Sequence, residues 1–564
     1  MTSAFSQAVQ AEPHTPVYTM HKYFARRPWN VFNELISHYS TTGEIVLDPF
    51  CGGGVTVVES LKLGRKAVGV DANPLATYVT EMECKPLNVP FFRQALLELS
   101  QKVELKISQL YRTRCARCGS EAVADWIEWD EATRRMLRLK YNCQKCGTSG
   151  KRTPKSYDLK LAKQISENFT QNVGQKKLWY PKTRIPSGDK TNSLLSKKIN
   201  FFHELFTKRN LLGLSILLAE INQVEDRECR DFLRFAFSSS LKWASKQSHL
   251  RGEIVEGWAM HAYWVYPKSL EINVWNTFRR RAQAIFRGKK YSNEQIGKSF
   301  TPARNFNELV TGNASCLILN QNSTKLPFPE NSIDTVITDP PYGGNVNYAE
   351  LSDYWHIWLS EGKIIDKSSE VIINKTQEKG VEEYESLLSA VLKECYRVLK
   401  PGRCLVSTFN SRDIRVVASF ITGAAKAGFT LHADGLLYQE PIRSYTTTFH
   451  AMQIGAFVGD FIFTFVKEST GHVADPGQSF LDLKETLAAS VEGAVAGEIT
   501  EPQLREQAYR SLIPFLAANA RDDPETCNEA IDFFEAKMKE REKYFGQLRR
   551  RIVANRKQKF SRRE

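Results

Sequence analysis

Long apolar runs are missing from this sequence. No stretch reaches the roughly 18 consecutive apolar residues that a membrane helix needs. The first 20 residues, MTSAFSQAVQAEPHTPVYTM, have no basic segment followed by an apolar core, and no internal repeat occurs. These absences argue against a membrane span and a secretory signal, and they predict a cytoplasmic protein with no membrane partner. The 11 cysteines are then expected to be thiols or metal ligands rather than a disulfide framework.

Size and charge bound the remaining possibilities. A chain of 564 residues exceeds what one core can hold, so two to four domains are expected. The formal net charge is +14. Residues 101–210 hold 24 Lys and Arg against 10 Asp and Glu, and residues 541–564 hold 10 against two. Two basic regions on a mildly acidic body predict a polyanionic partner.

A stretch near the amino terminus, VLDPFCGGGVTVVESLKLGRKAVGVD at 46–71, has the pattern of half a nucleotide-binding α/β unit. It predicts, in order, a strand at Ile45–Leu47, a glycine-rich turn at Cys51–Gly54, a helix at Val55–Leu63 and a strand at Lys66–Val70. Asp71 follows that strand and is placed to accept hydrogen bonds from ribose hydroxyls. Taken alone, the turn is a weak signal, and a purely structural turn is the alternative.

A second stretch, ITDPPYGGNVNY at 337–348, follows another predicted strand, Thr335–Thr338. In open α/β sheets, ligands bind beyond the carboxyl ends of strands, so Asp48 and Asp339 are expected at one site. The Asp339 carboxylate and the Pro340 carbonyl can accept hydrogen bonds from an exocyclic amine and localise its lone pair. Tyr342 can stack on the ring, and the prolines hold the acceptors rigidly. A methyl group on a sulfonium would then transfer directly, without Cys51 as a nucleophile.

Between the two stretches lie two CxxC knuckles, each followed by glycine. Cys115 and Cys118 form the first pair, and Cys143 and Cys146 form the second. The segment between them alternates in the manner of a short hairpin. The pattern predicts a tetrahedral zinc site on a ribbon at 112–152, structural because four thiolates leave no open position. A redox dithiol and unpaired cysteines are the alternatives.

Together, DPFCGGG, TDPPYG, HKYFARRPWNVFNELI, GVDANP and GNAS resemble motifs of amino-methyltransferases that modify bases in DNA. The group that this chain resembles is that of adenine-specific DNA methylases with a zinc-ribbon insertion. The resemblance implies a catalytic set of Asp339, Pro340, Pro341 and Tyr342. It also implies S-adenosyl-L-methionine as cofactor, held by His21, Lys22, Asp48, Pro49, Phe50, Cys51, Gly52, Gly54, Asp71 and Asn313. Asn313 replaces the usual Asp of an adenine-contacting motif.

The resemblance further implies an α/β fold with a Rossmann-like methyltransferase sheet that is split by an insertion. The expected parts are cofactor motifs at 1–90, a zinc-ribbon and helical insertion at 91–300 that reads the target, a catalytic part at 301–467, and a separate helical extension at 468–564. ELVTGNAS, from residue 308, predicts the strand that resumes the sheet, and residues 199–290 predict helices.

The implied function is methylation of adenine N6 in DNA after base flipping, with Tyr342 receiving the base and Tyr348 or Trp355 as further walls. DNA is the expected partner, and restriction or defence proteins are further expected partners. Three alternatives stay open. Two are enzymes, a cytosine-N4 DNA methyltransferase and an RNA amino-methyltransferase. The third is a zinc-containing nucleic-acid-binding subunit without activity.

Overall fold

The structure is a computed structural model that describes residues 3–411, 413–439, 460–468, 479–496 and 501–541. Its strands are β1 (Ile45–Asp48), β2 (Lys66–Asp71), β3 (Arg112–Arg114), β4 (Glu121–Asp130), β5 (Arg135–Asn142), β6 (Ser149–Arg152), β7 (His249–Arg251), β8 (Ile254–Glu256), β9 (Lys268–Ile272), β10 (Cys316–Asn320), β11 (Thr335–Thr338), β12 (Cys404–Phe409), β13 (Thr430–Gln439) and β14 (Asp460–Val466).

The helices surround these strands. They are α1 (Trp29–Tyr39), α2 (Val55–Lys62), α3 (Pro74–Cys84), α4 (Val89–Ser108), α5 (Ser156–Glu167), α6 (Phe169–Gln175), α7 (Asn192–Leu195), α8 (Lys208–Asn222), α9 (Arg227–Ala244), α10 (Val274–Gln295), α11 (Phe306–Thr311), α12 (Tyr348–Leu359), α13 (Val381–Val398), α14 (Ile414–Ala427), α15 (Phe480–Ala496) and α16 (Glu501–Asn519). A last helix, α17, covers residues 524–541. No helix in the described residues is long and apolar enough to cross a membrane.

A mostly parallel sheet of seven strands forms the centre, in the spatial order β10-β2-β1-β11-β12-β14-β13. The first five strands run parallel, and β14 is antiparallel to both of its neighbours. The chain builds β2 and β10 on one side of β1 and later adds β11 and β12 on the other side. The strand order therefore reverses between β1 and β11, which is where such sheets bind ligands.

Both faces of this sheet are buried, because successive side chains of β1 and β11 point to opposite faces and every one of them is buried. Val46 and Ile337 belong to one apolar core, which includes buried residues of α1, α2 and α3. Leu47 and Val336 belong to the other core, with buried residues of α13 and α14. The mixed α/β fold with a mostly parallel sheet that the sequence predicted is confirmed at this level.

The carboxyl-terminal helices are part of the second core. Leu483 of α15, Leu512 of α16 and Phe534 of α17 are buried in the same cluster as the strand residue Phe463. The prediction of a separate helical extension is therefore wrong in the described part of 468–564. The basic run at the end of the chain lies outside the described residues.

The insertion between β2 and β10 carries its own antiparallel sheet, in which β4 pairs with β3, β5 and β9. The hairpin predicted between the CxxC pairs is present as β4 and β5. Helices α4, α8, α9 and α10 pack on one another beside it. Two expectations fail inside 199–290, since residues 249–256 form the β7–β8 hairpin and Lys268–Ile272 is a strand.

The strand β9 escaped the sequence prediction because its apolar residues run directly into those of α10. Leu270 and Ile272 alternate in the manner of a strand and are each 1% exposed. Asn273 then begins the helix, since its side chain accepts a hydrogen bond from the Asn276 amide. A single apolar run thus divides between two elements.

Candidate active site

A cleft of about 960 Å³ opens at the carboxyl ends of β1, β2 and β11. Its lining includes Asp48, Asp71 and Asp339. Asp48 and Asp71 are the last residues of β1 and β2, and Asp339 directly follows β11. The volume of the cleft includes space that is open to solvent. The cleft lies at the point where the strand order reverses, so the two sequence stretches meet there.

The glycine-rich turn forms one wall of the cleft. Gly52 and Gly54 have φ angles of 47° and 77°, in the left-handed region that glycine adopts without strain. A Cβ atom on Gly54 would lie 2.7 Å from the hydroxyl oxygen of Thr80. The turn therefore has glycine where backbone conformation and close packing both require it, and Gly54 begins α2.

Asp71 is fixed by backbone amides at the end of β2. The Gly52 N–H donates to its Oδ2 at 2.9 Å, and the Asn73 N–H donates to its Oδ1 at 2.8 Å. Burial raises the pKa of Asp71 to about 7, and these two hydrogen bonds limit the rise. The carboxyl group is oriented toward the cleft and has lone pairs left for ligand hydroxyls.

Asp48 is buried beneath the cleft and held by two threonines. Thr56 donates to its Oδ2 at 2.6 Å, and Thr338 donates to its Oδ1 at 2.7 Å. Burial raises the pKa of Asp48 to about 6, against the two hydroxyl hydrogen bonds. Thr338 immediately precedes Asp339, so this contact ties the first sequence stretch directly to the second.

The Asp339 carboxylate already has three donors. Arg27 donates from Nε to Oδ2 at 2.6 Å, Thr408 donates to Oδ1 at 2.6 Å, and the Tyr342 hydroxyl also donates to Oδ1. Arg27 extends further and donates from Nη1 to Asp460 Oδ2 at 2.8 Å. One arginine thus bridges two carboxylates at the bottom of the cleft.

The positive charge of Arg27 attracts the two carboxylates that it contacts. Burial acts to lower the pKa of Arg27, but the adjacent Asp339 and Asp460 raise it well above its usual value. Burial raises the pKa of Asp460, and the charge of Arg27 opposes that rise. Arg27 lies among the basic residues that precede α1, whereas Asp460 gave no sequence signal before the strands were placed.

Aromatic rings lie near Asp339, although Tyr342 itself is not among the residues that line the cleft. Tyr342 packs against Phe409 with ring centroids 4.7 Å apart, and the Arg27 guanidinium lies 5.0 Å from the Tyr342 ring centroid. Tyr348 lines the cleft and stacks on Tyr23 at 5.8 Å. Trp355, in contrast, is 1% exposed and packs in the core on Trp258, so the structure places it away from the cleft.

Most of the cofactor residues suggested by the sequence meet at this cleft. Asp48, Pro49, Phe50, Cys51, Gly52 and Asp71 all line it. Burial raises the pKa of the Cys51 thiol well above its ordinary value, which leaves the sulfur protonated and a poor nucleophile. Pro340 and Pro341 follow Asp339 directly, and the Pro341 carbonyl accepts a hydrogen bond from the Tyr384 hydroxyl at 2.7 Å.

His21 and Lys22 are not brought to the cleft. His21 is 2% exposed, with Nδ1 2.8 Å from the Lys22 carbonyl oxygen and Nε2 3.0 Å from the Ser238 hydroxyl. Burial lowers the pKa of His21 to about 3, so the neutral ring joins the amino-terminal segment to α9. The residues of this segment that line the cleft are 23–27.

Asn313 lies at the opposite edge of the sheet. It is exposed and precedes β10, whereas the cleft is at the carboxyl ends of the strands. The cause is a wrong strand assignment, because the segment ELVT belongs to the helix α11 and the strand begins at Cys316. Asn322 and Ser323 follow β10 and line the cleft instead. The polar run NQNS after LIL is the sequence feature that could have predicted Asn322 and Ser323 as cleft residues.

The four cysteines of the ribbon come together. The sulfur atoms of Cys115, Cys118, Cys143 and Cys146 all lie within 4.8 Å of one another. The distance from Cys115 to Cys146 is 3.6 Å, and that from Cys118 to Cys143 is 3.7 Å. Four sulfurs about 2.3 Å from a tetrahedral metal ion would lie about 3.8 Å apart. The group could therefore hold a metal ion.

Comparison with known proteins finds a family match for two segments. Residues 4–81 and 333–473 match the model of the N6/N4 methyltransferase family, described as DNA methylase. The Type II methyltransferase M.MjaII of Methanocaldococcus jannaschii is 20% identical over 424 residues, which cover 72% of this chain and 74% of that protein. The matched segments contain the residues that line the cleft, apart from Asn322 and Ser323.

Solved structures are also similar over part of the chain. Two structures of a candidate DNA modification methylase from Thermus thermophilus match at 18% identity and a TM-score of 0.16. The matches cover 29% of this chain and 56% or 58% of those chains, so this chain spans just over half of their length.

Proposed function

We propose, from the match of both cleft-forming segments to the DNA methylase family, that this protein transfers a methyl group from S-adenosyl-L-methionine to adenine N6 in DNA. The observation that carries the proposal is the meeting of Asp48 and Asp71 with Asp339 and Pro341 of the tetrapeptide in one cleft. The first pair belongs to the cofactor side and the tetrapeptide to the side of the acceptor base. The sheet holds these groups beside one another although nearly 270 residues separate Asp71 from Asp339.

The cleft suits this cofactor. S-Adenosylmethionine carries a cationic sulfonium and an ammonium group, and the cleft is lined by the acidic residues Asp48, Asp71 and Glu370. Asp71 has oxygen lone pairs for the ribose hydroxyls, and the glycine turn gives the backbone close access. Asn322 and Ser323, at the end of the neighbouring strand, are positioned to contact the cofactor's base. When bound, the cofactor supplies an electrophilic methyl group.

Asp339 and the Pro340 carbonyl would accept hydrogen bonds from the target amine and localise its lone pair on nitrogen. Arg27 occupies Asp339 Oδ2 in the structure, so the amine must replace it there. Arg27 also bonds Asp460, and it can stay paired with that carboxylate while Asp339 turns to the amine. Tyr342 and Tyr348 would stack on the flipped base.

Adenine is the acceptor that we propose, because Asp at the first position of the tetrapeptide is more usual for adenine than for cytosine in the family that the chain resembles. The basic insertion would hold the nucleic-acid backbone and read its sequence. A zinc ion at the four cysteines would be structural, with its thiolates filling every coordination position.

The test is methyl transfer from labelled cofactor to DNA, RNA and protein, followed by identification of the modified nucleoside. We expect label in DNA as N6-methyladenine, and we expect Asp339→Ala to lower the rate by more than about 100-fold. A matched variant is Asp366→Ala, since Asp366 also lines the cleft but lies outside the motif.

Each result has a distinct meaning. N4-methylcytosine in the product would correct the target base, and label only in RNA or protein would correct the substrate class. An Asp339→Ala enzyme with full activity would contradict the mechanism. Cofactor binding without transfer to any acceptor would favour a binding subunit over an enzyme.

A further inference from the structure

Three cationic side chains cluster beside the cleft, and none of them pairs with a carboxylate within the part of the chain that the structure describes. Lys22 lies in the amino-terminal segment, Lys242 in the last turn of α9, and Arg281 in α10. All three are half-buried. The methyltransferase part and the insertion therefore build this group jointly.

Arg281 fixes the geometry of the cluster. It donates from Nη2 to the carbonyl oxygens of Thr19 and Met20 at 2.5 and 2.9 Å, and from Nε to the Ser239 hydroxyl at 2.8 Å. Ser239 in turn donates to the Met20 carbonyl at 2.8 Å. The segment that carries Lys22 is thereby held against α9, three residues before Lys242.

The two lysines differ from Arg281 in having no polar partner. Within the described residues, neither ammonium group has a hydrogen-bond acceptor or a carboxylate partner. Lys22 Nζ lies 5.0 Å from the ring centroid of Phe24, and Lys242 Nζ lies 4.7 Å from that of Trp243. Burial lowers the pKa of Lys22 to about 8, and burial together with Lys22 and Arg281 lowers that of Lys242 to about 7.

Other half-buried or buried lysines of the same region are neutralised or capped. Lys246, one turn beyond Lys242, lies 3.6 Å from a carboxylate oxygen of Glu131. Lys289 of α10 donates to the carbonyl oxygens of Met82 and Glu83. Lys22 and Lys242 differ from these two lysines, and their mutual repulsion favours an anionic ligand.

The cluster lies at the rim of the cleft. Phe24, whose ring faces Lys22, lines the cleft itself. Trp258 donates its backbone N–H to the Lys242 carbonyl at 3.1 Å and packs on Phe24 with centroids 5.4 Å apart. A strand whose base entered the cleft would carry its backbone past this rim.

We propose that Lys22, Lys242 and Arg281 form a binding site for a phosphodiester of the nucleic acid next to the target nucleotide. The inference rests on the proposed function and extends it from the reacting base to the strand that delivers it. The phosphate would receive charge-assisted hydrogen bonds from the two lysines. Arg281 would contribute charge and hold the protein backbone that carries Lys22. Phosphate contacts of this kind set the position of the strand and carry no sequence information.

The test measures affinity for a short DNA duplex as a function of salt concentration, with wild type, Lys242→Gln and the matched control Lys246→Gln. The slope of log affinity against log salt should fall in magnitude by about 0.9 in Lys242→Gln, the value for one lost phosphate contact. Lys246→Gln should keep the wild-type slope, because Lys246 is already paired with Glu131. An unchanged slope in Lys242→Gln would overturn the proposal.

A conservative variant adds a readout that a purely structural lysine would not give. Lys22 and Arg281 face Lys242, so wild-type affinity should fall as pH rises from 6 to 8.5 and Lys242 loses its proton. Lys242→Arg should keep the salt slope and bind with less dependence on pH, because arginine stays charged. A pH response equal to that of wild type in Lys242→Arg would contradict the assignment.

A third measurement identifies the source of the anion. Calorimetric affinity for S-adenosylmethionine should be the same in Lys242→Gln as in wild type. A loss of cofactor affinity with an unchanged DNA salt slope would assign the cluster to the cofactor's carboxylate and overturn the proposal. If wild type bound no nucleic acid at all, the proposed function would fail first, and the two failures are thus distinguishable.

Discussion

At the residue scale, the site depends on a balance of charge that the motifs alone do not display. Asp48, Asp339 and Asp460 lie close enough for each charge to influence its neighbours, and Arg27 is the cation that contacts two of them. A carboxylate that accepts hydrogen bonds from an amine must be ionised to do so well. Arg27 pairs with the Asp339 carboxylate and holds its side chain in place.

Replacement of Arg27 by alanine should shift the pH profile of methyl transfer. Without the guanidinium, the pKa of Asp460, which burial already raises, loses the charge that opposes this rise, so Asp460 takes up a proton at a higher pH. We expect activity at pH 7 to drop about 10-fold or more and to recover partly at higher pH. The measurement is the rate between pH 6 and pH 9.

Asp460→Asn is the matched control for that profile. It removes the second carboxylate but keeps the pairing of Arg27 with Asp339, so the acidic limb should stay near that of wild type. If Arg27→Ala lowered activity equally at every pH, Arg27 would act on geometry rather than on the protonation of Asp460.

At the element scale, the cysteine ribbon is joined to the rest of the insertion by hydrogen bonds along a strand. β9 pairs with β4 from Trp126 to Asp130 and leads directly into α10. Helix α10 packs on α9 and α4 and carries Arg281. The ribbon is therefore positioned to stabilise the helices that border the cleft.

Replacement of Cys115 and Cys143 by serine should remove one bound metal ion and destabilise the insertion. Metal analysis of freshly purified protein should give about one zinc per chain in wild type and none in the double variant. The melting temperature of the variant should fall by several degrees, because a structural zinc site contributes directly to folding.

The matched variant for the ribbon is Cys229→Ser, since Cys229 is a buried cysteine of α9 outside the group of four. It should keep its zinc. The absence of zinc or another bound metal from freshly purified wild-type protein would refute the ribbon assignment.

At the scale of the whole molecule, the sheet, the insertion and the carboxyl-terminal helices share continuous cores. One core joins residues of α1 and α2 with residues of α8, α9 and α12. The other joins the far face of the sheet with α15, α16 and α17. The last helices thus cover a face of the seven-stranded sheet, with α16 packed on α14.

A chain that ends at residue 468 should consequently be unstable rather than a minimal enzyme. Loss of the carboxyl-terminal helices would expose the apolar partners of Leu483, Leu512 and Phe534, each of which is at most 2% exposed. Burial of one such side chain contributes about 1.5–3 kcal/mol, so the three together contribute about 4.5–9 kcal/mol. Thermal unfolding and solubility measure the effect, and a truncated protein with the wild-type melting temperature would show that the helices are dispensable.

The sequence alone was sufficient for the local features. Strand β1, the glycine turn, α2 and β2 follow from apolar alternation, from glycines and from a helical period, all of which act over a few residues. The paired CxxC motifs predicted a group of four sulfurs for the same reason, since each knuckle is a local turn. Asp48, Asp71 and Asp339 could be assigned to one cleft because parallel strands end at one edge.

Tertiary structure decided which distant groups meet. Asp460 reaches Arg27 across more than 400 residues, and no local pattern marks either as a partner of Asp339. Asn322 lines the cleft and Asn313 does not, because β10 begins at Cys316. Burial against the sheet, rather than local propensity, determined where this strand begins. The cationic cluster likewise needs three segments packed together. Sequence determines local conformation and chemistry, whereas long-range packing determines which side chains share a site.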